Sequence, residues 1–266
     1  MELENDIRTI VHPEWFSGAI EEYSKEDGYD FGKKSGIVLR PKTVNGKQFQ
    51  FPDKVVIPST FVINGSEKPV IGIEGFGGTA SAPTAQDKVK YVFVEKDKPN
   101  TLYWIKERAF GYMPNLKYFD FDNCQARYID KEAFRSDMNL TNTTFSNSLW
   151  KVGIDAFNGA IKSNGPTNII IPSSVISVNE RGFAHLNIGA GSTLTIGFSE
   201  TNLSQLDLGS THKQAFRMNN NNKYAAVIFY SASLDNNSND IVHASDWFKE
   251  CFPDGTDLSG GALTIY

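Results

Sequence analysis

Cysteine is nearly absent from this 266-residue chain: Cys124 and Cys251 are the only two, with no Cys-x-x-Cys spacing. Two isolated thiols build neither a disulfide framework nor a zinc site, and both are expected to be reduced and structural. No run approaches the roughly eighteen apolar residues that a membrane-spanning helix needs. The first ten residues carry Glu2, Glu4, Asp6 and Arg8 instead of a basic stretch followed by an apolar one, so no secretory signal peptide is read in this chain. Basic charge is in deficit, with 26 Lys and Arg against 31 Asp and Glu and a net charge of −5. That balance lacks the electrostatic footprint of nucleic-acid or anionic-membrane binding, and no membrane insertion is expected. Leucine is scarce, 14 residues beside 22 Asn and 22 Gly, which argues for many turns and few long helices.

What recurs is phenylalanine. Five segments read Ile/Val, three variable residues, Ala/Gly, Phe: Ile71-Gly75-Phe76, Ile105-Ala109-Phe110, Ile129-Ala133-Phe134, Val152-Ala156-Phe157 and Val178-Gly182-Phe183. Random placement of these residue types gives fewer than one such segment. The successive Phe positions are 34, 24, 23 and 26 residues apart, a base period near 24 with one insertion, inside the range of solenoid repeats. Ala215-Phe216 and Trp247-Phe248 extend the series with looser spacing.

Between the anchors, β-favouring runs appear once per period: Val55-Val56-Ile57-Pro58, Val89 to Val94, Leu116 to Phe121, Leu140 to Phe145, Ile169-Ile170-Ile171-Pro172, Leu194-Thr195-Ile196 and Val227-Ile228-Phe229. Side by side in successive turns they predict a β-rich solenoid with one parallel sheet, the rings of the repeat filling its interior. A small residue before each ring lets the chain turn tightly while the ring goes inward. The division expected is an N-terminal cap over residues 1–53 and a solenoid over 54–266. In the cap, Phe16, Ala19, Ile20 and Tyr23 sit at helical spacing, and Ile37-Val38-Leu39 with Phe49-Gln50-Phe51 flank the hairpin signal Asn45-Gly46. Leu263-Thr264-Ile265-Tyr266 reads as a last strand that either pairs with the sheet or marks a truncation.

Ile169 to Phe183, an aliphatic-x-aliphatic-Pro strand followed by Val175 and then Val178-Asn179-Glu180-Arg181-Gly182-Phe183, resembles the repeat unit of the BspA-like leucine-rich repeats. Val55-Val56-Ile57-Pro58-Ser59-Thr60 with Ile71 to Phe76 resembles it a second time, with an insertion. The resemblance is good from about residue 54 to 183 and departs from the pattern where the coils beginning at Val89, Leu116, Leu140 and Leu194 lack the Pro. It implies a right-handed leucine-rich-repeat coil, cell-surface or secreted, working in adhesion and recognition without catalysis. It brings no fixed set of functional residues.

The chemistry-bearing residues support no enzyme. The four histidines, His12, His185, His212 and His243, lie in different repeats with no metal-ligand spacing. Gly75-Phe76-Gly77-Gly78 and Gly189-Ala190-Gly191-Ser192 lack the Gly-Lys-Ser/Thr of a phosphate loop. Asp235 to Asp240 with Asp246 places oxygens at several positions of a calcium loop but has Asp240 where Gly is required, so a solvated insertion is the simpler reading. Asp120 and Asp122, two apart on a strand, share a face and hint at a glycosidase-like pair, which surface solubility explains more simply. No metal and no cofactor are expected, nor is a nucleophile elbow present.

What remains is the outward face of the strands: Val56, Phe93, Asp120, Thr144, Ile170, Thr195 and Ile228 in successive coils. Edged by Tyr91 and Tyr118, with Lys90 and Lys117, this stripe is the candidate ligand-binding face, its chosen residues being Tyr91, Phe93, Tyr118, Asp120, Ile170 and Ile228. The reading is a non-catalytic recognition or adhesion module for a protein or glycan. The alternative is an intracellular or virion structural protein that uses the solenoid as an assembly scaffold, with self-association. If the rings form one core, Phe134→Ala costs about 3–5 kcal/mol of stability through the cavity it leaves. A urea titration measures it, and a loss near zero contradicts the packing.

Overall fold

Short β-favouring runs cannot satisfy their own backbone groups, so each must pair with a run one repeat away. The computed structural model of the chain describes residues 8–26, 29–96, 98–142, 144–165, 167–189, 193–198, 214–217, 223–229 and 263–265. Within them β1 (Phe16–Glu26) pairs antiparallel with β2 (Tyr29–Pro41). The hairpin β3 (Thr43–Val44) and β4 (Lys47–Gln48) follows, then β5 (Lys54–Ile57), β6 (Thr60–Ile63) and β7 (Ser66–Ile73). The repeats continue with β8 (Tyr91–Val94), β9 (Trp104–Ile105), β10 (Tyr118–Phe119), β11 (Tyr128–Ile129) and β12 (Lys151–Val152). Last come β13 (Thr167–Ile171), β14 (Ser177–Val178), β15 (Thr193–Phe198), β16 (Lys223–Phe229) and β17 (Leu263–Ile265).

The expectation of one parallel sheet needs correction. β2, β7, β9, β11, β12 and β14 run side by side in a parallel ladder, with β1 and β6 added antiparallel to β2 and β7. β5, β8 and β10 form a separate parallel sheet, and β13, β15, β16 and β17 another. The predicted strand runs supply the latter two sheets. The ladder comes from the aliphatic anchor of the Phe motif, which with the residue before it makes strands too short to leave an alternating pattern. Leu140–Phe145 departs from expectation too, because residues 140–142 and 144–145 form no strand. There the side-chain amide of Asn142 takes over the pairing, donating to the Phe119 carbonyl at 2.6 Å and accepting the Phe119 N–H at 3.4 Å.

The rings form one stacked column. Phe76, Phe110, Phe134, Phe157, Phe183 and Phe216 are all at most 1% exposed. Their centroids are 5.2, 5.4, 5.2, 5.0 and 5.7 Å apart in chain order, and the last four pairs are parallel within 9°. Phe51 continues the column below Phe76 at 4.8 Å. Phe119, Phe121 and Phe145 pack edge-on against it, the geometry that aromatic quadrupoles favour. The Trp247-Phe248 extension lies outside the described residues.

Each ring is registered by its own backbone. The N–H of Phe76, Phe110, Phe134, Phe157 and Phe183 donates to the carbonyl of Ala109, Ala133, Ala156, Gly182 and Ala215, the small residue of the next repeat, at 2.7–2.9 Å. Two residues before the ring the backbone is left-handed, at Arg108, Glu132, Asp155, Arg181 and Gln214, and two residues after it again, at Tyr112, Ser136, Gly159 and His185. Side chains other than glycine take that conformation at a cost, which the repeated hydrogen bonds across the turn offset. At the first of these positions the charges pair along the stack. Glu132 binds Arg108 and, at 2.7 Å, Arg135; Asp155 binds Arg181 through both oxygens at 2.7 and 2.8 Å. Burial opposes these charges, but the guanidinium hydrogen bonds outweigh it and hold both carboxyls below their usual range.

Three local expectations change. Pro13–Trp15 is a single 3-10 turn and the stretch from Phe16 is strand, so the helical stripe is not a helix. A Cβ at Gly18 would sit 2.4 Å from the Ile37 Cγ2, so glycine there serves close antiparallel pairing, and glycine inside a helix is itself unfavourable by about 1 kcal/mol. The anchor of the first repeat is Ile73, which pairs with Ile105, and not Ile71. Ile71 is the extra residue where the β2–β7 register shifts, and this bulge turns it away from the ring column. Asn45-Gly46 does form a turn with positive φ at both residues, between β3 and β4, whereas Ile37–Leu39 pairs with β1 and β7. The insertion in this repeat holds a second such turn, Asn64-Gly65, joining β6 to β7.

Cys124 is free and buried, and burial pushes its thiol up to about 12; Cys251 lies outside the described residues. Asp137 is fully buried, its Oδ1 accepting the Met113 N–H at 2.8 Å while Oδ2 has no partner. Burial raises its carboxyl well above the ordinary value. A raised carboxyl favours the folded state when protonated, so stability is lost as pH climbs above the unfolded value. Asp137→Asn is therefore expected to be more stable than wild type at pH 7, with the difference gone near pH ~3.5, below the ordinary carboxyl pKa of about 3.9. Urea titrations at the two pH values read this directly.

Candidate functional site

Four of the six sequence-predicted site residues come together on the outward face of β8 and β10. Tyr91 stacks on Phe93 with centroids 6.5 Å apart, and Phe93 meets Tyr118 at 5.5 Å. The Tyr118 hydroxyl donates to Asp120 Oδ1 at 3.2 Å, and Asn123 Nδ2 donates to the same oxygen at 2.7 Å. Burial first, and the adjacent Asp120 charge second, push the Tyr118 phenol above the ordinary tyrosine value.

The expected exposure of this stripe is corrected at three positions: Val56 is 6% exposed, Phe93 3% exposed and Asp120 fully buried. The chain segment before β1 lies across the last two: the Arg8 guanidinium sits 5.4 Å above the Phe93 ring and its Nη2 reaches Asp120 Oδ1 at 3.4 Å. Period-two alternation places a residue outside the core but says nothing about a distant segment folding over it. Ile170 is 48% exposed and sits apart from this cluster, on β13. Ile228, on β16, falls in the same cross-strand row, since Ile170 and Ile228 both pair with Gly197; its side chain lies outside the described residues.

Sequence reasoning missed a second face. On the side of the β7–β9–β11–β12 ladder away from the ring column, Tyr23, Ile71 and Tyr128 form a small cluster joined by the half-buried Tyr103, Trp104 and Trp150. Cations lie over these rings. Arg127 sits between Tyr103 and Trp150, 5.4 and 5.1 Å from their centroids, and Lys106 is 4.6 Å from Trp104. Asp130 fixes two of the rings, accepting the Tyr128 hydroxyl at 3.0 Å and the Trp104 indole N–H at 3.4 Å. The signal was present: an aromatic one or two residues before the aliphatic anchor, in Tyr103-Trp104-Ile105, Tyr128-Ile129 and Trp150-Lys151-Val152. Chemically the two faces offer ring surfaces, guanidinium and ammonium groups and hydrogen-bonded carboxylates.

Among the described residues no group of three or more His, Cys, Asp or Glu could hold a metal ion. The calcium-like loop at 235–240 lies outside them. No helix among the described residues is long and apolar enough to cross a membrane. Because a raised phenol favours the neutral folded state, wild type should lose stability relative to Tyr118→Phe as pH passes about 10. Thermal melts at pH 8 and 10.5 measure the difference, and parallel pH profiles contradict the assignment.

The family model for the BspA-type leucine-rich repeat region, six copies, matches residues 93–189 and 127–238. A leucine-rich repeat protein from Bacteroides ovatus, known from its crystal structure, is 15% identical with a TM-score of 0.26, over 80% of this chain and 72% of that one. No curated protein matches. The repeated anchor, small residue and ring are the signature of a family, and this chain belongs to the BspA-type leucine-rich repeats.

Proposed function

We propose that the chain is a non-catalytic recognition module displayed at a cell surface, which binds a protein or glycan through the outward faces of its parallel sheets. Its repeats wind as a right-handed solenoid over residues 54–266, and residues 1–53 cap the first turn, covering the hydrophobic interior that an end repeat otherwise leaves open. Membership of the BspA-type family suggests a surface-associated protein-interaction module.

The observation that carries the reading is the row of half-buried Tyr103, Trp104 and Trp150 over the buried Tyr128, with Arg127 between Tyr103 and Trp150, on the side of the ladder away from the ring column. Tyr, Trp and Arg are the residues that dominate binding energy at protein interfaces, because they combine large apolar area with a polar handle. Tyr91, Tyr118, Ile170 and Ile228 form the second part of the proposed surface, with Phe93 and Asp120 beneath it under Arg8.

The test is immobilised binding of the full chain to a panel of extracellular-matrix proteins and glycans. A partner that binds wild type is expected to bind Trp150→Ala at least about tenfold more weakly, a loss of about 1.4 kcal/mol, with the fold retained at the assay temperature. A partner held equally by wild type, Trp150→Ala and Tyr103→Ala would sink the aromatic face as the contact.

A further inference from the structure

Asp120 is a carboxylate on the side of its strand away from the ring column, yet it is fully buried. Four donors converge on it: Asn123 Nδ2 at 2.7 Å, the Tyr118 hydroxyl at 3.2 Å, and Arg8 Nη2 and the Val94 N–H at 3.4 Å each. With Phe93 under the guanidinium, the pocket presents a ring face and a carboxylate at right reach for one planar cation.

The fit of Arg8 itself is poor. A guanidinium can make two parallel bonds to a carboxylate, but Arg8 makes a single long one, and its Nε is buried with no hydrogen-bond partner. Among the described residues its backbone has one hydrogen bond, the Lys96 N–H donating to the Arg8 carbonyl at 3.4 Å. A site chemically suited to guanidinium is thus closed by a loosely seated one.

We propose that Tyr91, Phe93, Tyr118 and Asp120 form an arginine-binding pocket that Arg8 closes in cis, and that the ligand is an arginine side chain of a partner protein. Binding then requires the partner's arginine to displace the protein's own segment. The planar cation distinguishes arginine from lysine, because only a guanidinium can stack on the Phe93 ring while bridging both Asp120 oxygens. This proposal rests on the reading of the sheet face as a recognition surface and names the chemistry of its partner.

The test uses the full chain with Arg8→Ala and N-acetyl-arginine methylamide as probe, followed by calorimetry or chemical shifts. Arg8→Ala is expected to bind the probe at least tenfold more tightly than wild type and to prefer it over N-acetyl-lysine methylamide. Adding Asp120→Asn should abolish that gain; because Asp120 is buried, Phe93→Leu in the Arg8→Ala background serves as a second variant and should weaken binding with the fold retained. Arg8→Ala binding the probe no better than wild type, or binding the lysine probe equally well, overturns the pocket. Probe binding by Arg8→Ala with no partner found in the panel supports the pocket while counting against the wider recognition reading. A panel partner that binds wild type and Arg8→Ala identically overturns the pocket and leaves that reading standing.

Discussion

The structure depends on ring-on-ring contact between repeats. Strands in a parallel ladder lie about 4.8 Å apart, and aromatic rings in offset stacks prefer centroids roughly 4.5–7 Å apart. The observed spacing of 5.0–5.7 Å from Phe110 to Phe216 satisfies both at once, with one ring per rung. The hydrogen bond from each Phe N–H to the small residue of the next repeat locks the ring to the ladder. A β-branched or larger residue in that small position would have to find space where Ala109, Ala133 and Ala156 are wholly buried.

That inward commitment leaves the outward sides of the strands free to vary. The turn positions carry Arg108, Glu132, Asp155 and Arg181, whose ion pairs add lateral complementarity between neighbouring repeats. Beyond them, one face gathers Tyr103, Trp104, Tyr128 and Trp150 and the other gathers Tyr91, Phe93, Tyr118 and Asp120. The N-terminal part of the chain touches both. Tyr23 stacks on Trp104 at 5.2 Å, and Arg8 covers Phe93. The hairpin and the segment before it therefore shape the faces a partner would meet.

Much of this was legible in the sequence because it repeats. The Phe motif marked the ring column correctly from Phe76 to Phe216, and the strand runs marked β5, β8, β10, β13, β15, β16 and β17. Single, non-repeating events were not legible. The bulge at Ile71 shifted the first anchor to Ile73, and the strand β1 carried residues at accidental helical spacing. The ladder strands around Ile105 and Ile129 were too brief to show a period, so the aromatic row beside them went unread. Burial of Asp120 under Arg8 depends on a contact across 112 residues, which no local pattern encodes.

The most direct test of the central claim is ring-to-ring nuclear Overhauser contact in protein labelled at phenylalanine. Stacked repeats require cross-peaks linking Phe110 to Phe134, Phe134 to Phe157 and Phe157 to Phe183, with none joining Phe110 directly to Phe183. Rings that show no contact with their neighbours in this series, or that contact each other out of order, contradict the stacked column and every face built upon it.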